Sequence, residues 1–515
     1  MADITTFAAL NTACQTSGTY TVGANITFTA TIAIPVGVNI NLSSHGGPFT
    51  LTQATSGLRH FQVLGSLTLG NIVIDGGQPI PSFDSDGNPT AHATQVSGGI
   101  VLNYNSSGTP STLPAINPSL ILNDGAIVQH CYSATGGGVL ANVGDVTLNN
   151  GSQVVYNSTS ANGGGLACYG VSTSVISTIT INGGLVAYNY GGNSAGGIDG
   201  DNQFTTVNLN SGAIRNNSTL KAGGGLEIYG MFNMTGGSIS QNKAGINGGG
   251  VSNLSTNAQI NISGGSISNN TAVQLGGGFF LRFGGTFTVS GILPANGGIV
   301  GQNYPVIQNN SAGTNGGGMS FTDTPMTSIS IANCQISENT ATALGGGIYL
   351  DGNNSANLAS VNLSSNTAQN GGGWYANQAT LTVDKGIPAG QNSTIGSNTA
   401  TQNGGGGYLA NVGTLFDKGA NYTSNTAGSG GGIYVAGGKG HLYGSTITQN
   451  ITSANGGGIY VDTSSFVFSK GLTLTHNKSR LGKGGGAYVL GQFITAEVEI
   501  HYNSAAVCGG GVCVE

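Results

Sequence analysis

Three carboxylates are the groups in this sequence best placed for chemistry. Asp199 and Glu227 each stand two residues after a glycine cluster, and Asp201 follows two residues further on. Only 18 of the 515 residues are acidic, so three at corresponding places in neighbouring segments form a patch. If the segments stack as adjacent strands, about 4.8 Å apart, two such carboxylates can ligate Ca²⁺. They can equally serve as acid and nucleophile on a glycosidic bond. The plainer reading is a solvated surface, since no Lys, Arg or His is fixed beside them.

The position occupied by Asp199 and Glu227 carries tyrosine further along the chain: Tyr349, Tyr375, Tyr408, Tyr434, Tyr460 and Tyr488. In "GGGIYV" the Ile and Val point one way and the Tyr the other, so the tyrosines are expected to face solvent as a column of rings. Tyr169 and Tyr229 lie two residues beyond the same position in earlier segments. Such a column either stacks on itself and stabilises the sheet or offers a platform to a sugar chain or a protein. The run "DSDGN" sets Asp84, Asp86 and Asn88 at the spacing that opens a calcium loop, but the downstream Glu is missing. An Asp-Gly turn explains it as well. Cys508 and Cys513 flank the last glycine cluster, placed either to pair or to serve as small buried residues. The basic run His476–Lys483 reads as a solvated turn, and the remaining histidines show no ligand spacing.

The elements that position these residues come from a repeat. Glycine clusters begin at fourteen places from Gly136 to Gly509, a step of about 29 residues, within the range of solenoids and arrays. Five to seven residues before nearly every cluster stands an asparagine: Asn157, Asn217, Asn242, Asn270, Asn310, Asn339, Asn366, Asn398, Asn425, Asn450, Asn477 and Asn503. His130 takes that place in the first repeat. Three residues before the asparagine is an apolar residue such as Ile336 or Leu363. Between these anchors run short alternating stretches, "TLTVD" and "SISIAN", which have strand periodicity. Gly and Asn suit the bends, since both tolerate positive φ. The expected fold is all-β: a single right-handed parallel β-helix of about 18 coils, with three short strands per coil. The asparagines then stack at one corner and hydrogen-bond along it. The many N-x-S/T triplets are a by-product of that repeat.

The apolar-x-x-N motif followed by GGxI, as in "ISENTATALGGGIYL", resembles the repeat of chlamydial polymorphic outer-membrane proteins and related Gram-positive surface adhesins. The resemblance covers residues 129–515, with Ile or Leu where that family has Phe, GGG where it has GGA, and no visible translocator barrel. It implies a right-handed β-helix displayed outside a bacterial cell, in adhesion.

Two regions are expected. Residues 1–128 form a cap and the first coils, with "FAALNTACQ" as a short capping helix and a Pro-rich loop insertion at 79–118. Residues 129–515 form one continuous solenoid, with a further inserted loop from Gly291. The final "GGGVCVE" has no cap, so the chain either continues in a longer protein or stacks head to tail. Charged residues are 6% of the chain, well below the average of about 25%, and no long basic run invites nucleic acid. No 18-residue apolar run is present, so membrane insertion by a helix is not expected, and no signal peptide is visible. These features point to a monomeric extracellular adhesin or stalk that offers a long face to a surface glycan or protein. The alternatives are a polysaccharide-active enzyme working through Asp199, Asp201 and Glu227, and a self-assembling fibre subunit. No cofactor is expected apart from Ca²⁺.

Overall fold

A computed structural model describes residues 3–80, 82–102, 117–291, 304–385 and 392–515. The chain is a parallel β-solenoid of about 17 turns with three parallel sheets, and only 1% of it is helical. It divides into two compact units, Met1–Gln259 and Ile260–Glu515. The expected number of about 18 coils agrees to within one, with three strands of the last-crossed sheet before the first glycine cluster.

One coil of each unit shows the design. In the first, Thr205–Arg215 crosses a wide sheet, Ser218–Thr219 a narrow one, and Leu226–Ile228 a front one. In the second, Ser328–Ser337, Thr340–Ala341 and Ile348–Leu350 do the same. Three strands per coil is therefore right for these coils. Elsewhere the wide sheet takes two strands from a coil, as with Thr380–Asp384 and Thr394–Gly396. Alternation puts Ile329, Ile331 and Ile336 in the core and leaves Ser328 outside, as period-two patterning requires.

The glycine clusters answer to close packing. Gly345 has φ +65°, and a Cβ on Gly346 would lie 2.6 Å from Thr367 O, while one on Gly347 would lie 2.6 Å from Leu363 Cδ1. In the "SAGG" coil the left-handed place falls to Ala195, at φ 52°. The asparagine corner differs from expectation. Its left-handed residue is the one before the asparagine, and is often neither Gly nor Asn: Tyr188, Gln241, Glu338, Ser365 and Ser397 all lie between 55° and 58°.

The asparagines form a ladder in each unit. Asn366 donates its backbone N–H and an Nδ2 hydrogen to Asn398 Oδ1, at 2.9 and 3.0 Å, and its other Nδ2 hydrogen to Ile336 O at 3.0 Å. The same pattern links Asn270, Asn310, Asn339, Asn366, Asn398, Asn425, Asn450, Asn477 and Asn503. In the first unit it links Asn157, Asn189, Asn217 and Asn242. Two details correct the sequence reading. Asn189 is a rung that the spacing rule passed over. Cys131, not His130, heads the ladder: its N–H donates to Asn157 Oδ1 at 3.0 Å, and His130 is the left-handed residue before it.

The cap is the helix Phe7–Ala13, started by Thr6, whose Oγ1 accepts from Ala9 N–H at 3.3 Å. Leu10 and Cys14 are buried, and Phe7 meets Phe28 edge-on at 5.2 Å. The Pro-rich insertion is more than decoration. Residues 82–97 run as a strap over the narrow sheet, crossing five successive coils. Ser97 pairs with Tyr132, Ala93 N–H donates to Ser158 Oγ at 3.0 Å, His92 stacks on Tyr132 and flanks Tyr190, Ser218 Oγ donates to Pro89 O, and Asp84 pairs with Lys243 at 2.8 Å. Residues 103–116 of that insertion, and 292–303 of the loop from Gly291, lie outside the described residues.

Candidate functional site

The outward position after each glycine cluster aligns as the repeat demands. In the first unit the column reads Gln62, Val101, Leu140, Ala167, Asp199, Glu227 and Ser252, each paired with the next across the front sheet. In the second it reads Phe280, Ser320, Tyr349, Tyr375, Tyr408, Tyr434, Tyr460 and Tyr488.

The expectation that this column is solvated fails at the acids. Asp199 and Glu227 are fully buried, and none of their four carboxyl oxygens has a hydrogen-bond partner. Each has beside it a residue that stands just before the glycine cluster of the preceding coil. Asn162 faces Asp199 and Ser194 faces Glu227, both short of hydrogen-bonding geometry. Burial raises both carboxyls above the ordinary carboxylate range. It pushes Glu227 up to about 7, reinforced by the Asp201 charge and opposed by Ser194 and Lys221. Asp199 is raised by burial first, then by Glu227 and Asp201. Asp201 is half-buried against the hydroxyl of Tyr169, and burial raises it too. Tyr229 is raised by burial and by the three carboxyls. Neither carboxyl is open to solvent, so the pair is a buried acid dyad.

A pH dependence follows. Glu227 has an ordinary carboxyl value when unfolded and about 7 when folded, so the folded state holds the proton longer and loses stability as pH rises from about 4.5 to 7. Glu227→Gln is expected to melt with the parent at pH 4 and higher at pH 8, by an amount on the order of 3 kcal/mol. His60, buried and pushed down to about 4, acts in the opposite direction but equally in both proteins. Melting curves of the two from pH 4 to 8 check this; a constant gap would contradict the buried dyad.

The tyrosine column is a closed stack. Successive ring centroids from Tyr349 to Tyr460 lie 5.8, 4.9, 5.0 and 4.3 Å apart and within 25° of parallel. Tyr488 is tilted by 51°. The rings spend their faces on one another and show edges outward. Tyr349 and Tyr488 are buried, with hydroxyls donating to Asp351 at 3.0 Å and Glu515 at 2.7 Å. Tyr375, Tyr408, Tyr434 and Tyr460 are half-buried. Burial pushes the Tyr375 hydroxyl up to about 12, which keeps it a neutral donor and acceptor.

The other candidates are tied locally. Asp84 Oδ1 accepts the N–H of Asp86 at 3.0 Å and of Asn88 at 2.9 Å, while Oδ2 meets Lys243. Asp84 is thus committed to a turn and the strap's far anchor, which leaves Asp86 and Asn88 without its carboxylate as a shared ligand. Among the described residues no group of three or more His, Cys, Asp or Glu is arranged to hold a metal ion. Cys508 and Cys513 are free thiols with Sγ atoms 2.7 Å apart, one exposed and one buried.

Fold and column together define a repeat-built parallel β-solenoid whose outer face is partly closed by its own turns and rings. No protein-family model, no curated protein and no solved structure matches this chain.

Proposed function

We propose that this chain is a non-catalytic binding solenoid of the surface-adhesin kind, displayed outside the cell, and that it engages an extended polar polymer, a surface glycan first of all. The observation that carries the reading is the run of four half-buried phenol edges from Tyr375 to Tyr460. They lie in register on adjacent strands, at the spacing of a strand ladder. Edges with hydroxyls suit hydrogen bonding along a chain of polar groups, whereas flat stacking of sugars would need the ring faces that the stack consumes. The repeat's resemblance to surface adhesins points the same way. The buried acid dyad removes the main support for a polysaccharide-cleaving enzyme.

The test is the fourfold change of Tyr375, Tyr408, Tyr434 and Tyr460 to Phe, which keeps the rings and deletes the hydroxyls. On a glycan array the parent is expected to retain ligands that the variant loses by tenfold or more, with the melting temperature unchanged within a few degrees. Equal binding by the two proteins would sink the proposal.

A further inference from the structure

The last glycine cluster carries two thiols that the tyrosine face does not use. The repeat sets one residue immediately before a cluster and an outward residue five positions later. At Gly484 these are Lys483 and Tyr488, and the next coil lays Cys508 and Cys513 beside them in register. No other coil has cysteine at both places.

Glycine lets the two side chains meet. Gly509 is left-handed, at φ +62°, and a Cβ there would stand 2.8 Å from the Cβ of Cys513. With that place empty, the Sγ atoms of Cys508 and Cys513 touch at 2.7 Å. The turn between them is held on the coil before, where Gly484 N–H donates to Cys508 O at 2.8 Å and Gly485 N–H to Gly509 O at 3.0 Å. A disulfide forms where two cysteine side chains already converge, and these converge across an anchored turn. The two thiols are unequal. Cys508 is exposed and Cys513 is buried. Contact with Cys508, ahead of burial, pushes the Cys513 thiol up to about 11, against the pull of the Lys483 charge. The thiolate is the attacking form, so the exposed thiol reacts first and the buried one follows.

We infer that Cys508 and Cys513 are an oxidisable dithiol that closes to a disulfide on meeting a small-molecule disulfide. The Cys508 thiolate attacks one sulfur of the oxidant, breaks its S–S bond and expels one thiolate, leaving a mixed disulfide. Cys513 Sγ gives up its proton, attacks Cys508 Sγ and expels the second thiolate. The cysteines lose two electrons and two protons, and the oxidant leaves as two thiols. The closure draws nothing from the tyrosine face and holds whatever that face binds.

The experiment is reaction of the folded, reduced full chain with a slight excess of dithiobis(nitrobenzoate), followed by mass spectrometry. The parent is expected to release two thionitrobenzoates per chain and to keep no adduct. The tryptic peptide that follows Lys483 contains Cys508 and Cys513 and no other cysteine, and its mass should fall by two hydrogens. Cys513→Ser should release one thionitrobenzoate and retain the other on Cys508. Cys508→Ser should react at least tenfold more slowly than the parent, because the five remaining thiols are buried. Should either variant fail to fold, the parent's stoichiometry and peptide mass still decide. One equivalent released with an adduct kept on the parent, no release at all, or parent-like rate in Cys508→Ser would each overturn the inference.

Discussion

Gly407→Ile destabilises the second unit by about 3 kcal/mol or more, and adding Trp374→Ile restores most of the loss. The inward column of the front sheet there reads Ile348, Trp374, Gly407 and Ile433, one residue per coil in register. Trp374 is the only tryptophan of the chain and is fully buried. Its indole occupies the place where a Cβ on Gly407 would stand. One oversized and one absent side chain therefore share the volume that two isoleucines fill in the pair Ile433–Ile459. Gly407→Ile alone drives a branched side chain into the ring. Trp374→Ile alone leaves a cavity beside a glycine and costs about 2–4 kcal/mol, in the manner of large-to-small core changes. It also removes a buried indole N–H that has no partner, which favours the double variant. Urea denaturation followed by circular dichroism gives the four stabilities. Additive effects would contradict the shared volume; a coupling of 2 kcal/mol or more is the expected sign of contact.

Asn398→Leu is expected to cost about 3–9 kcal/mol, from three buried polar groups left unmet at about 1–3 kcal/mol each. Those groups are the N–H and one Nδ2 hydrogen of Asn366, both given to Asn398 Oδ1, and Leu363 O, which accepts from Asn398 Nδ2. The same change at Asn503, a half-exposed rung, should cost much less, because water reaches what it leaves behind. If denaturation finds the two variants within 1 kcal/mol of each other, the ladder is not the buried network described.

What the sequence made legible is whatever repeats. The period, the strand alternation, the register of the column and the asparagine ladder follow from spacing alone, because each coil must place the same residue over the same neighbour. The slip from Cys131 to His130 shows the limit: without an asparagine to mark the rung, the left-handed residue beside it was counted instead. Asn189 was passed over, although Val186 stands three residues before it. The outward column was assigned correctly by alternation and wrongly by exposure. Alternation says which way a side chain leaves the strand, whereas Asp199 is fully buried with Asn162 of another coil beside it. Trp374 and Gly407 are each visible as exceptions, but only the register between strands 33 residues apart makes them one. The strap was read only as a Pro-rich loop insertion because its partners, Ser158, Ser218 and Lys243, are ordinary repeat residues.

That strap changes how the first unit comes apart. In a stack of coils each turn touches only its neighbours, so opening spreads from an end one turn at a time. Here Asp84 is tied to Lys243 across 159 positions of chain, and the segment between is pinned at Ser218, Tyr190, Ser158 and Tyr132 along the way. The strap can dock only after the fifth of these coils has formed, which makes it a late, long-range closure in folding. Once docked, none of the five coils can fray without lifting it. An array that would otherwise unzip by degrees is thereby made to exchange its amide hydrogens as one cooperative block.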